Sequence, residues 1–195
     1  MRIERRKDFY YHKAKKEHFP ARSVYKLEEL NKKLHIIKAG GRILDIGCAP
    51  GSWCKYARAV AGKNGIVVGI DILPVQADIQ KDIVFLQKDL FTLTAQDLSH
   101  IGTSFDCVMS DAAPNTSGDR FTDHQRSLRI CEKVFELSGI FLKPGGNLLM
   151  KVFQGEDYQK LYKEVGAAFK ACKTEKPQSS RKESFEVYIV GLHKL

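Results

Sequence analysis

No C-x-x-C pair occurs in this chain, no apolar run approaches the ~20 residues of a membrane span, and no G-x-G-x-x-G loop is present. Each absence removes a class of function. The five cysteines (Cys48, Cys54, Cys107, Cys131 and Cys172) are odd in number and lie mostly inside apolar segments. That usage argues against a disulfide framework or a zinc ribbon and fits a reducing cytoplasm. The six histidines are scattered, so no metal site is expected. No apolar stretch follows the charged start Met1-Arg2-Ile3-Glu4-Arg5-Arg6-Lys7, so neither a secretory leader nor a membrane anchor is expected. Internal repeats and low-complexity tracts are also missing. Without the G-x-G-x-x-G loop, a nicotinamide-dependent oxidoreductase loses its main support.

What is present fits one domain over residues 1–195, with 43 % hydrophobic and 28 % charged residues. The net charge of +9 is unevenly spread. Residues 1–33 carry 11 Lys/Arg against 5 Asp/Glu, whereas residues 71–123 carry 3 against 9. The reading is a basic extension over 1–35 joined without a linker to a core over 36–195. Phe9, Tyr10, Tyr11 and Phe19 stand among the cations of that extension. Cations mixed with aromatic rings suit a nucleic-acid backbone with bases to stack on, although a solvated tail has the same composition. Arg5, Arg6, Lys13, Arg22 and Arg181 are the candidate nucleic-acid contacts.

The hydrophobic pattern is α/β. Val24, Leu27, Leu30 and Leu34 recur at helical spacing. Strands are expected at 42–47, 66–72, 83–89, 105–111, 147–153 and 185–193, with a further short strand before the polar stretch 173–184. Helices are expected at 52–60, 122–141 and 157–169. Thr122 and Gln125 have capping-box spacing, and the run Lys143-Pro144-Gly145-Gly146 is expected to stop the helix before it. Strands alternating with helices give a mostly parallel sheet covered on both faces, and the hairpin-like approach to the final strand makes that strand antiparallel.

Asp45-Ile46-Gly47-Cys48-Ala49-Pro50-Gly51 follows the first strand and opens a helix, the ligand position of a doubly wound sheet. Pro50 removes an amide donor, and Asp45 would repel a diphosphate while accepting from an ammonium group. Asp71 ends the second strand, where a carboxylate takes the two hydroxyls of a ribose. Asp89 ends the third, placed for an adenine amine. An adenosine carrying a cationic amino acid is S-adenosylmethionine. Asp45, Gly47, Pro50, Gly51, Trp53, Asp71, Asp89 and Asp111 are the candidate cofactor residues. Taken singly, each aspartate is equally a helix cap and Trp53 equally a packing residue.

Four charged residues stand out: Lys26 beside Tyr25 and Leu27, Asp111 after Met109-Ser110, Lys151 within Met150-Lys151-Val152-Phe153, and Glu186 within Phe185-Glu186-Val187-Tyr188. The last three fall in or at the end of strand-like runs, where a charge is costly unless paired. Two amines and two carboxyls form a set able to neutralise itself around one proton-transfer site. These words, with the Asp45 to Trp53 loop and the Ser179-Ser180-Arg181 stretch, resemble the FtsJ-like RNA 2′-O-ribose methyltransferases from about Ala21 to the end of the chain. The resemblance implies a Rossmann-like S-adenosylmethionine-dependent methyltransferase fold with a seven-stranded sheet. It also implies a catalytic tetrad on Lys26, Asp111, Lys151 and Glu186. Lys151 is the candidate proton acceptor, and a protonated Lys151 that only orients the hydroxyl is equally consistent. The expected substrate is a uridine ribose of large-subunit ribosomal RNA. A transfer-RNA anticodon-loop ribose and a non-catalytic ribosome-assembly role stay open as alternatives. The protein is expected to be a cytoplasmic monomer that contacts RNA and no membrane.

Overall fold

The computed structural model describes residues 2–181 and 183–195, with side chains from residue 9 onward. Thirteen segments matter here. Helix α1 spans Arg2–Lys16 and α2 Val24–Leu34; strand β1 spans Arg42–Ile46, α3 Ser52–Ala61, β2 Ile66–Asp71, the one-turn α4 Ala77–Gln80 and β3 Val84–Gln87. The second half contains β4 at Phe105–Ser110, α5 at Arg120–Phe141, β5 at Leu142–Phe153, α6 at Tyr158–Ala168, β6 at Phe169–Glu175 and β7 at Glu186–Lys194. The strands form one sheet in the order β3-β2-β1-β4-β5-β7-β6. β7 runs antiparallel to both neighbours, while the β1, β2, β3, β4 and β5 pairings are parallel. The seven strands with one reversed are those the alternation called for.

Successive residues of the central strands go to opposite faces, and both faces are covered. Leu44, Val68, Val108, Leu148 and Ile189 point to one apolar layer, which they share with α5 and α6 through Cys131, Val134, Leu161 and Val165. Ile43, Val67, Cys107, Leu149 and Val190 point to the other, where Leu27 and Leu30 of α2 and Trp53, Cys54 and Ala57 of α3 cover them. Two-sided burial is why these strands read as unbroken apolar runs. Burying α2 in the second layer fixes the helix that carries Lys26. The basic N-terminal segment is docked as well. Tyr10 packs on Tyr25 at 5.3 Å between ring centroids, and the Tyr25 hydroxyl donates to Glu17 at 2.9 Å.

Three local expectations are corrected. α5 starts at Arg120, two residues before the expected capping box, because Asp119 caps it by accepting from the Thr122 N–H at 2.8 Å. Asp123 is drawn instead to the preceding loop, where it accepts from the Ser117 N–H and hydroxyl at 2.7 and 2.9 Å. Gln125 donates to Asp157 rather than back to the helix start. β5 begins at Leu142 rather than Asn147. Its register against β4 jumps from Phe105↔Leu142 to Cys107↔Asn147, so the proline and both glycines form an irregularity inside the strand. The short strand expected before residue 173 is the seven-residue β6, and α6 leads straight into it. Among the described residues no helix is long and apolar enough to cross a membrane.

Asn147 joins distant parts of this frame. Its buried Nδ2 donates to the Ile36 carbonyl at 3.0 Å and its Oδ1 accepts from the His193 N–H at 3.1 Å. Asn147→Ala leaves both backbone groups without that partner and is expected to lower stability by about 1–3 kcal/mol, read as a drop in the urea midpoint with an unchanged slope.

Candidate active site

The carboxyl edge of a parallel sheet is lined by the residues that end each strand, and a cleft opens where the strand order reverses. Here the reversal lies between β1 and β4. Asp45 stands near the end of β1, Asp71 ends β2, Asp111 follows β4, and Lys151 sits near the end of β5. Because β7 is antiparallel, its first residue reaches the same edge. Phe153 pairs with Glu186, and Lys151 with Tyr188. Lys26 arrives from α2.

The four charged residues form two ion pairs. Lys26 Nζ lies 2.5 Å from Glu186 Oε1, with both side chains largely covered. Lys151 is 8 % exposed and lies 3.0 Å from Asp111 Oδ1, and it also donates to the Asp111 carbonyl at 2.5 Å. Two of its three N–H donors are thus used on one residue. Tyr188, which sequence reasoning passed over, links the pairs. Its hydroxyl donates to Asp111 Oδ1 at 2.7 Å, and Lys26 Nζ stands 5.9 Å from its ring centroid. The ring is fully buried and stacks on Trp53 at 6.0 Å. Burial, with the Asp111 and Glu186 charges behind it, pushes the Tyr188 phenol well above its usual range, so it remains a donor. Its apolar, strand-like surroundings gave no signal apart from its place two residues after Glu186.

Next to Asp111 lies a small, partly open cavity of about 30 Å3, bordered by Asp45, Gly47, Pro50, Trp53 and Ser23. Asp45 is completely buried. Its Oδ2 accepts from the Cys54 thiol at 3.1 Å, while Oδ1 has no partner. Burial raises its pKa from 3.8 to about 7, against the Cys54 hydrogen bond and reinforced by the Asp111 and Asp71 charges. An unpartnered buried carboxylate oxygen beside a cavity the size of an amino group suits a ligand ammonium. The adenosine end would lie outside that cavity. Asp71 accepts from the Ala49 and Leu73 N–H groups at 2.8 and 2.9 Å, and Asp89 from the Phe91 N–H at 2.9 Å. Both carboxylates therefore brace their loops and still have lone pairs for hydroxyl or amine donors. Ile72 and Leu73 stay 61 % and 60 % exposed beside Asp71, an apolar edge suited to a purine face. The acceptors present thus suit the ammonium, hydroxyl and amine donors of S-adenosylmethionine.

Gly47 and Gly51 both have positive φ, 75° and 105°. A Cβ on Gly47 would lie 2.4 Å from that of Ala112, so this glycine lets the loops after β1 and β4 close on each other. The Ala49–Pro50 peptide bond is cis.

The expected RNA contacts separate. Arg22 and Arg181 line one large cavity with Lys26 and Glu186. Lys13 instead covers the Tyr25 ring at 4.3 Å beside Glu17. The side chains of Arg5 and Arg6 lie outside the described residues. Glu29, missed in the sequence, holds the loop bearing Arg181 by accepting from the Gln178 N–H at 2.7 Å and the Ser179 hydroxyl at 3.2 Å. Nothing in a pair 149 residues apart announces such a contact.

The FtsJ-like methyltransferase family description matches residues 19–194. The chain belongs to that family. This methyltransferase is 45 % identical over 188 residues to Ribosomal RNA large subunit methyltransferase E of Desulfatibacillum aliphaticivorans, covering 96 % of this chain and 91 % of that one. It is 44 % identical over 191 residues to the protein of the same name from Bdellovibrio bacteriovorus, covering 96 % and 97 %. Among solved structures, a Plasmodium falciparum protein described as a ribosomal RNA methyltransferase superposes with a TM-score of 0.79 at 27 % identity, over 91 % of this chain and 99 % of that one. Aeropyrum pernix fibrillarin, solved with bound S-adenosyl-L-methionine, superposes at 0.60 with 18 % identity over 87 % and 76 %, a likeness of fold.

Two outcomes are expected. Gly47→Ala puts a side chain into a strained backbone and into Ala112, and should cost about 1–3 kcal/mol in thermal or urea unfolding. Because the Asp45 carboxyl is raised, its contribution to stability is fully present below its unfolded value and is lost as pH rises through about 7. Asp45→Asn should therefore gain on the wild type as pH is raised from 5 to 8 in ligand-free unfolding curves, while losing affinity for S-adenosylhomocysteine in calorimetry.

Proposed function

We propose that this methyltransferase moves a methyl group from S-adenosylmethionine to the 2′-hydroxyl of a uridine in large-subunit ribosomal RNA, acting as a cytoplasmic monomer. The observation that carries the reaction is the pair of buried ion pairs, Lys151–Asp111 and Lys26–Glu186, at the carboxyl edge of the sheet beside the unpartnered Asp45 oxygen. The relatives that share 44–45 % of their residues with this chain and bear the name of a large-subunit ribosomal RNA methyltransferase support the substrate.

When bound, S-adenosylmethionine supplies an electrophilic methyl on a sulfonium. The protein has three tasks: to hold that group, align the hydroxyl with it and take up a proton. Asp45 binds the ammonium end, Asp71 the ribose hydroxyls and Asp89 the adenine amine, while Gly51, Pro50 and Trp53 shape the loop between them. Lys26 and Glu186 hold the target ribose. Lys151 first releases a proton to solvent, then accepts that of the 2′-hydroxyl as the oxygen–methyl bond forms, and the ammonium so restored is again paired with Asp111. Tyr188 keeps the Asp111 carboxylate turned toward Lys151. Activation of a phosphoryl group is not involved, so no metal is required for charge neutralisation.

Lys151→Ala is expected to abolish transfer of tritiated methyl groups to isolated large ribosomal subunits, while S-adenosylhomocysteine affinity stays within a few-fold. Undiminished transfer removes Lys151 as proton acceptor. Mapping the modified riboses after incubation with large subunits or with transfer RNA tests the substrate, and methylation confined to transfer RNA overturns it.

A further inference from the structure

The open cleft beside Lys26 and Glu186 offers about 660 Å3, a size typical of sites for whole small molecules and more than one ribose fills. Its lining has two chemistries. Arg22 and Arg181 border it, and neither forms a salt bridge with a carboxylate among the described residues. Arg22 is held in place by donating to the Ser179 carbonyl at 3.0 Å. Burial, and then the nearby Arg181 charge, make its own charge less favourable. Two such cations sharing one cavity favour an anion between them. The other chemistry is aromatic. Phe185 and Phe153 also border the cavity, with ring centroids 4.7 Å apart. Neither ring belongs to the two apolar layers that flank the sheet. The Arg120 guanidinium stands 5.9 Å from the Phe185 centroid. Phe185 is therefore a half-covered ring that rests on the buried Phe153 ring and is approached by a cation.

We propose that this cavity takes one nucleotide out of the RNA stack, with its base on the Phe185 ring and its phosphate on Arg22 and Arg181. The proposal rests on the RNA 2′-O-methylation read above and adds a base subsite to it. A base and a phosphate are attached to the same ribose, and the ribose contacts Lys26 and Glu186 border the same cavity. Glu186 directly follows Phe185, so one strand start sets both the ribose contact and the base shelf. An aromatic shelf offers no edge-reading donors, so it accepts any base and leaves sequence choice to RNA outside the cavity. Inside a duplex both faces of a base are covered, so the target nucleotide has to be unstacked before it enters.

The test uses the full chain loaded with S-adenosylhomocysteine and two fluorescent RNA strands about ten nucleotides long. One is oligouridylate. The other is an abasic strand of equal length and charge. Wild type should bind oligouridylate about tenfold or more tighter than the abasic strand. Phe185→Ala should lose about tenfold of that preference, and Phe185→Trp should keep it. Each ratio is taken within one variant, so a smaller folded fraction cancels. A wild type without preference, or Phe185→Ala with the wild-type ratio, overturns the shelf. Methyl transfer to large subunits by the wild type is measured in parallel. Its absence overturns the function itself, whereas transfer together with an unchanged ratio in Phe185→Ala overturns only the base subsite.

Discussion

The contact between Lys151 and Asp111 is the constraint around which the site is built. An ammonium group covered to this degree is tolerated only where a carboxylate meets it, and Asp111 meets it twice, through its side chain and its own carbonyl. The same carboxylate takes the Tyr188 hydroxyl. One residue after β4 thereby joins β4, β5 and β7 at their active edge. Removing a single partner leaves the others charged or polar in a dry place, which explains why the surrounding residues are so tightly packed. Trp53 against Tyr188 and Gly47 against Ala112 close the space on the cofactor side.

Asp45 is the counterpart on the other side of Asp111. It has one hydrogen bond from a thiol and one oxygen with none. A fold selected for stability alone would fill such a position with an apolar residue or pair it. Its raised pKa comes from burial and the Asp111 and Asp71 charges, in keeping with the tendency of perturbed ionisable groups to gather at functional sites.

Much of this was legible in the chain. The central strands showed as apolar runs because both faces of the sheet are buried, and their charged ends showed because a charge in such a run demands a partner. Local hydrogen bonding was less visible. Thr122 and Gln125 have the spacing of a capping box, yet Asp119 wins the cap because Asp123 is pulled to Ser117. The Pro144-Gly145-Gly146 run looks like a break, yet parallel pairing on either side carries β5 across it. Glu29 and Tyr188 could not be found by periodicity, since their partners lie far away in sequence. Asp71 and Asp89 hold loop amides, as single aspartates after strands commonly do, and remain able to accept from a ligand.

The placement of β7 has a consequence for synthesis. A ribosome makes the chain from its N-terminus, and domains form as their segments emerge. β6 is made before β7 but lies outside it in the sheet, so it has no strand neighbour until β7 slots in beside β5. Glu186 and Tyr188 arrive with that strand. A nascent chain halted before them can bury much of its first five strands yet lacks the carboxylate that pairs with Lys26 and the hydroxyl that donates to Asp111. The ion pair of Lys26 and the hydroxyl on Asp111 are therefore completed only when β7 is made, in one step with closure of the sheet.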